Sequence, residues 1–286
     1  MRKDFALFIC THGRPDKQLT LKTFKYHGYT GKYFLIVDDT DETIQKYIDN
    51  YGAENIIVFN KNYYINSDKF DNGDNKLHDK CILYAKRAAE DIAKEYGYKF
   101  FIIADDDITN LSVRYPKDGK AKRVSITNLD DILNTHIEFI EETNIVCLGF
   151  GNVTHYFSGV SAFNWNNSKH RLLPYQLLLR NGKFSVNWLS WFAEDDVTEY
   201  QSCMLGNLWL VSLFVMYDIE PVGDINVTGG MVDVYKQNDL FSLQFNAVKY
   251  CPQRITLRNH RKNGKIVMDR HNEICFPKIL SWRYQK

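Results

Sequence analysis

The chain has 286 residues, with 36 Lys or Arg against 35 Asp or Glu and a net charge of +1. This length allows one large α/β domain or two small ones with a substantial core, and the balanced charge excludes a partner chosen by bulk electrostatics alone. The six scattered cysteines, with no C-x-x-C pair, exclude a disulfide scaffold or zinc ribbon and suit reduced thiols in a cytosol.

In chain order, Met1 to Asp4 lead into an apolar strand, Phe5 to Cys10, with no cleavable signal between them. Thr11-His12-Gly13-Arg14-Pro15 is a turn, and Pro15 suits the first turn of a following helix. Tyr33 to Val37 is a second strand that ends at Asp38-Asp39. Ile44, Tyr47, Ile48 and Tyr51 fall at helical spacing. Ile56 to Phe59 is a third strand, followed by a polar loop from Asn60 to Asp74. A long helix then buries Leu77, Cys81, Tyr84, Ala85, Ala88, Ile92 and Tyr96. The fourth strand, Phe100 to Ala104, ends abruptly in Asp105-Asp106-Asp107.

Three adjacent carboxylates repel one another and are best tolerated beside a cation. Alternate residues of an extended segment point the same way, so Asp105 and Asp107 can face one ion. Hard oxygen ligands suit Mg²⁺ or Mn²⁺, which in turn hold nucleotide phosphates. The βαβα alternation predicts a parallel sheet covered on both faces, and ligands of such sheets bind beyond the carboxyl ends of the strands. The polar clusters at Thr11 to Arg14, Asp38-Asp39 and Asp105 to Asp107 share that edge. There Asp38 or Asp39 can accept hydrogen bonds from a base or ribose, and Arg14 can pair with a diphosphate. No P-loop or G-x-G-x-x-G fingerprint is present.

The second half is less regular. A helix start near Thr127 and Asp130 precedes Ile132, Leu133, Ile137 and Ile140 as its buried face, and Val146 to Phe150 is a strand. Tyr156 to Trp165 is either an acceptor pocket or a core strand. Trp188-Leu189-Ser190-Trp191-Phe192 runs into Glu194-Asp195-Asp196, with helical propensity from Val197 to Leu205. The uncharged stretch from Gln201 to Tyr217 approaches a membrane span in length, but Gln201, Ser202, Asn207 and Ser212 interrupt it. It is expected to be a helix end followed by a core strand, with no membrane contact. Basic residues gather late: ten Lys or Arg from Lys249 to Lys286 face only Asp269 and Glu273.

The runs Phe8 to Pro15, Phe34 to Asp39 and Ile103 to Asp107 resemble the GT-A-type glycosyltransferases, which use nucleotide-sugar donors. The resemblance implies one GT-A-like, Rossmann-type mixed α/β sheet with helices on both faces. Residues 1–110 would form the nucleotide-sugar half and residues 111–286 the acceptor half. It assigns Thr11, Arg14, Asp38, Asp39 and Asp106 to a nucleotide sugar, a UDP-sugar foremost, with Lys80 and Lys76 as further donor contacts at a helix start. Asp105 and Asp107 would bind Mn²⁺ or Mg²⁺, with a third ligand from His260 or His271. A Glu-Asp pair at a helix start is the general base of inverting members, which points to Asp195, with Glu194 beside it. Compact GT-A-like enzymes of phages glycosylate hydroxymethylated pyrimidines in DNA, and this chain is similar in size and layout. The basic C-terminal segment and the loop from Arg114 to Arg123 fit DNA as acceptor, in a host cytoplasm. A bacterial surface glycan or protein is the alternative acceptor. A non-catalytic nucleotide- or nucleic-acid-binding module is the alternative class.

Overall fold

Strand β1 (Phe5–Cys10) has all six residues buried, and its alternating side chains serve two different cores. Phe5, Leu7 and Ile9 point to one side of the sheet, where Leu21 and Phe24 of helix α1 (Leu19–Tyr26) and Tyr47 of α2 (Ile44–Tyr51) pack. Ala6, Phe8 and Cys10 point to the other, against Tyr64 of α3 (Lys61–Ile65) and Leu83, Ala88 and Ile92 of α4 (Leu83–Glu95). Such an uninterrupted apolar strand is what a sheet covered on both faces requires. The computed structural model describes residues 1–66, 81–152, 176–220, 245, 247–252, 255–262 and 265–272.

Strands β2 (Lys32–Asp38), β3 (Ile56–Phe59) and β4 (Phe100–Asp105) complete the parallel region, in the spatial order β3-β2-β1-β4. Beyond β4 the sheet becomes mixed. It adds β5 (Ile108–Lys117), β6 (Lys120–Ser125), β7 (Ile145–Asn152), β8 (Leu177–Asn181) and β9 (Leu208–Ile219). The full order is β3-β2-β1-β4-β8-β7-β9-β5-β6, one nine-stranded sheet. Helix α5 (Leu129–Glu141) buries Leu133, Ile137 and Ile140 on the α1 side and is capped by Asn128, whose side chain accepts from Asp131 N. Helix α6 (Glu194–Met204) leads into β9 and shares a third cluster with Trp191, Phe192 and Cys251. Strands β10 (Ile255–Lys262) and β11 (Lys265–Asn272) pair antiparallel as a separate two-stranded sheet.

Several local expectations need correction. The stretch after β3 is not all loop: Asn60 accepts from Tyr63 N and caps α3. The segment from Arg114 to Arg123 is a β-hairpin turning at Asp118-Gly119, both at positive φ, the geometry an Asp-Gly pair favours. Helix α4 starts at Leu83, so Cys81 precedes it, and Tyr96 is more than half exposed beyond its end. Helix α6 begins at Glu194, as the acidic run at a helix start implied, and its carboxylates meet the free N–H groups of the first turn. Lys76, Lys80, Leu77, His155 and the segment from Tyr156 to Trp165 lie outside the described residues. No helix among the described residues is long and apolar enough to cross a membrane.

Candidate active site

The site lies where β1, β2 and β4 end. Thr11 follows β1, and its hydroxyl donates to Asp106 Oδ2 at 2.6 Å while accepting from Gln18 Nε2 at 2.8 Å. Tyr47 OH stands 3.0 Å from the same hydroxyl and accepts from Arg14 N at 2.8 Å. Gly13 takes a positive φ, and this turn brings its N–H to Asp41 Oδ2 at 2.6 Å. Arg14 Nη1 reaches Asp106 Oδ1 at 2.9 Å. Thr20 Oγ1 donates to Asp105 O at 2.5 Å. The loop after β1 is thereby tied to the triple-aspartate turn by side chains and backbone together.

At the end of β2, buried Asp38 accepts from His12 Nδ1 at 2.7 Å and from Thr40 Oγ1, with Lys61 Nζ 3.4 Å away. Burial opposes its charge, but these partners win, and its pKa falls below the ordinary carboxylate range. The hydrogen bond to Asp38 raises the pKa of half-exposed His12. Asp39 is exposed, with Oδ1 accepting from Lys61 N at 3.0 Å.

The triple aspartate divides by role. Strand β4 stops at Asp105, and Asp106-Asp107 form the turn into β5, so simple strand alternation does not extend to Asp107. Asp106 is consumed by Thr11 and Arg14. Asp105 and Asp107 differ from it: Oδ1 of each is buried without a hydrogen-bond partner. Burial raises the pKa of Asp105 well above its ordinary value, with Asp107, Glu194 and Asp106 adding to the rise against Lys86. Burial and Asp106 push Asp107 up to about 6. Two orphaned buried carboxylate oxygens on adjacent sides of a turn suit a hard divalent cation. Among the described residues no group of three or more His, Cys, Asp or Glu is placed to hold a metal ion.

The second acidic run reaches this corner through a buried lysine. Lys86 of α4 is fully buried, and its ammonium lies 2.7 Å from Glu194 Oε1 and 5.1 Å from the ring centre of Trp188. Burial opposes its charge, yet Glu194, Asp105 and Asp195 together raise its pKa. The N-terminus of α6 and the end of β4 therefore face one buried cation. Tyr217, buried on β9, also feels both Asp105 and Asp195. One turn along α4, Glu90 accepts from Arg180 Nε at 2.6 Å and Trp188 Nε1 at 3.3 Å, so Trp188 is core. The loop approaching α6 holds Ser190 and Ala193 at φ 70° and 55°, strained values for residues with a Cβ. Leu189 N donating to Thr198 Oγ1 at 2.9 Å helps secure it.

Thr11, Arg14, Asp38, Asp39 and Asp106 are thus gathered at the ends of β1, β2 and β4, and Asp105, Glu194 and Asp195 surround Lys86. His260 and His271 occupy β10 and β11, paired with Val267 and Thr256. Lys86 had a signal in the sequence: it falls in the apolar stripe of Ile82, Ala89 and Ala93. Lys61, Gln18 and Tyr47 act through contacts that spacing does not encode.

A family model described as TET-Associated Glycosyltransferase matches residues 5–217. The chain belongs to this family. The match takes in every strand of the nine-stranded sheet except the last two residues of β9, and both acidic runs. Comparison with curated proteins yields no match. Among solved structures, the glycosyltransferase chain is similar to glucosyl-3-phosphoglycerate synthase from Mycobacterium tuberculosis in complex with Mn²⁺, uridine diphosphate and phosphoglyceric acid. Identity is 8%, the TM-score 0.47, and the likeness covers 94% of this chain and 87% of that one. Mannosyl-3-phosphoglycerate synthase from Rubrobacter xylanophilus gives 9%, 0.45, and 94% and 87%. TarS of S. aureus in complex with UDP-GlcNAc gives 13%, 0.43, and 86% and 71%.

Proposed function

We propose that this glycosyltransferase moves a sugar from a nucleotide-sugar donor, a UDP-sugar foremost, onto the hydroxyl of a hydroxymethylated pyrimidine in DNA, with inversion. The observation that carries the reading is the pair of unpartnered buried oxygens on Asp105 and Asp107, with Asp105 sharing the buried Lys86 with the acidic start of α6. Asp105 and Asp107 would hold Mn²⁺ or Mg²⁺, which when bound neutralises charge on the departing nucleoside diphosphate. Thr11, Arg14 and Asp39 hold the nucleoside and diphosphate, with Asp38 and Asp106 fixing the loops that carry them. Asp195 takes the proton of the acceptor hydroxyl as its oxygen bonds to the anomeric carbon and the bond to the diphosphate oxygen breaks. Lys86 holds Glu194 and so sets the start of α6, where Asp195 sits. The exposed lysines of the β5–β6 hairpin and the basic run from Lys249 to Lys286 support a polyanionic acceptor. A base inside a duplex is out of reach, so it would be flipped into the cleft.

The test is mass spectrometry of nucleosides after incubation with Mn²⁺ and a panel of nucleotide sugars. Three acceptors are offered: hydroxymethylated duplex DNA, unmodified DNA and a bacterial glycan mixture. One added sugar on the hydroxymethylated base alone is the expected result. Addition to the glycan alone would overturn the DNA acceptor, and no donor turnover with any acceptor would overturn the catalytic reading.

A further inference from the structure

The pairing of β5 with β6 separates the basic residues of the hairpin into two unlike sets. Residues directly opposed across an antiparallel pair share a face, and the faces alternate along each strand. Arg114 opposes Arg123, and both are engaged with β9: Arg114 Nε donates to Met216 Sδ at 2.8 Å, and Arg123 pairs with Asp218. On the other face Tyr115 opposes Lys122, and Lys117 opposes Lys120. These three lysines are exposed, and none forms an ion pair with a described residue. Like charges directly opposite destabilise a strand pair unless an anion lies across them. Asp118 stands at the tip, in the turn between Lys117 and Lys120.

We propose that this face, Tyr115 with Lys117, Lys120 and Lys122, grips the phosphate backbone of duplex DNA at a distance from the reacting base. The proposal rests on the reading of DNA as acceptor and adds where the duplex is held. Its charge is complementary to phosphate, and lysines are suited to backbone contacts that carry no sequence information. Its placement sets the geometry. Strand β5 leaves Asp107 directly and runs ten residues to Lys117, a span of about 33 Å at strand rise. That is close to one turn of B-DNA, roughly 34–36 Å or about 10 base pairs. The hairpin would meet phosphates about one helical turn from the flipped nucleotide.

Two measurements on the full chain test this. In the first, the affinity for hydroxymethylated duplex DNA is followed by fluorescence anisotropy against salt. The variant Lys117→Ser/Lys120→Ser/Lys122→Ser is compared with wild type and with Lys3→Ser/Lys94→Ser/Lys99→Ser, three exposed lysines at the amino ends of β1 and β4 and the end of α4. Removing three phosphate contacts should make the slope of log K against log salt shallower by about 2.7. The control should keep the wild-type slope. An unchanged slope in the hairpin variant, or an equal change in the control, overturns the proposal. So does an unchanged slope joined to new self-association, which would assign the lysines to guarding the edge strand β6. In the second, the modified base is flanked by 4 or by 14 base pairs on each side. The variant's loss should be confined to the longer duplex, and an equal loss on both lengths overturns the placement. Nucleosides from wild-type reactions, read by mass, separate the two readings. Sugar on DNA with an unchanged hairpin slope overturns this proposal alone, and a changed slope without sugar on DNA overturns only the acceptor.

Discussion

Replacing Lys86 by methionine removes the cation from the junction of β4 and α6 while keeping most of its volume. The lysine side chain is 2% exposed and that of Glu194 13%, so Glu194 would stay buried without its counter-charge, beside Asp105. Breaking a buried pair by removing one partner costs about 3–5 kcal/mol. For a chain of this length that corresponds to a fall in unfolding midpoint of about 5–8 °C. The acids around Lys86 raise its pKa. Its contribution is therefore complete below the free-lysine value of about 10.4, and is lost only as pH rises through the higher folded value. The fall should be present at pH 9 and no larger at pH 6, where a buried carboxylate left without its cation takes up a proton more readily. Scanning calorimetry of Lys86→Met, Glu194→Gln and the double variant measures the coupling. The double variant should be more stable than the sum of the single losses predicts, because it leaves no unpaired charge. A Lys86→Met midpoint within 1 °C of wild type, or strict additivity, would refute the electrostatic junction.

Asp195→Asn should lower turnover by about 10²–10⁴-fold while donor affinity, read by calorimetric titration, stays within a factor of two or so. Ala193→Gly should raise the stability of the apo protein by about 1 kcal/mol, because the left-handed backbone at φ 55° no longer carries a Cβ. A lower midpoint would show that the strain is absent. Two histidines should shape stability in opposite directions. The contribution of His12, its pKa raised by Asp38, is complete below about pH 6.5 and lost as pH rises through its folded value. His136 has its pKa lowered by burial, so its contribution holds above about 6.5 and is lost as pH falls through its folded value. Midpoints of His12→Asn and His136→Asn from pH 5 to 9 should flatten the alkaline and acid sides respectively.

The parallel part of the fold was legible because its strands are continuous apolar runs ending in polar clusters. Phe5–Cys10, Ile56–Phe59 and Phe100–Asp105 needed only length and flanks to be recognised. Strand β8 is not legible in the sequence, although Leu177 to Leu179 is as apolar, because Arg180 follows and its fully buried guanidinium is matched by Glu90, a partner ninety residues away. The β5–β6 hairpin was hidden by its lysines, which read as a solvated loop although Asp118-Gly119 is a hairpin turn pair. In the site, the acids stood out and their counter-charges did not. Lys86 and Lys61 belong to helices whose polar residues are expected to face water, and only tertiary contact shows them facing carboxylates. The extended alternation expected for Asp105 and Asp107 gave way to a turn, yet both left an oxygen unpartnered.

Strand β4 has β1 on one side and β8 on the other. During synthesis, then, β4 has only one strand neighbour until residues 177–181 leave the ribosome. Strand β5 can rest on α1 through Thr20, Thr23 and His27, but it lacks its strand partner until β9 follows. A nascent chain paused before Leu177 would present β4 as a long apolar edge, open to pairing with a neighbouring chain. Yield of soluble protein should therefore depend more on translation speed and chaperone supply across this interval than on the stability of the finished molecule.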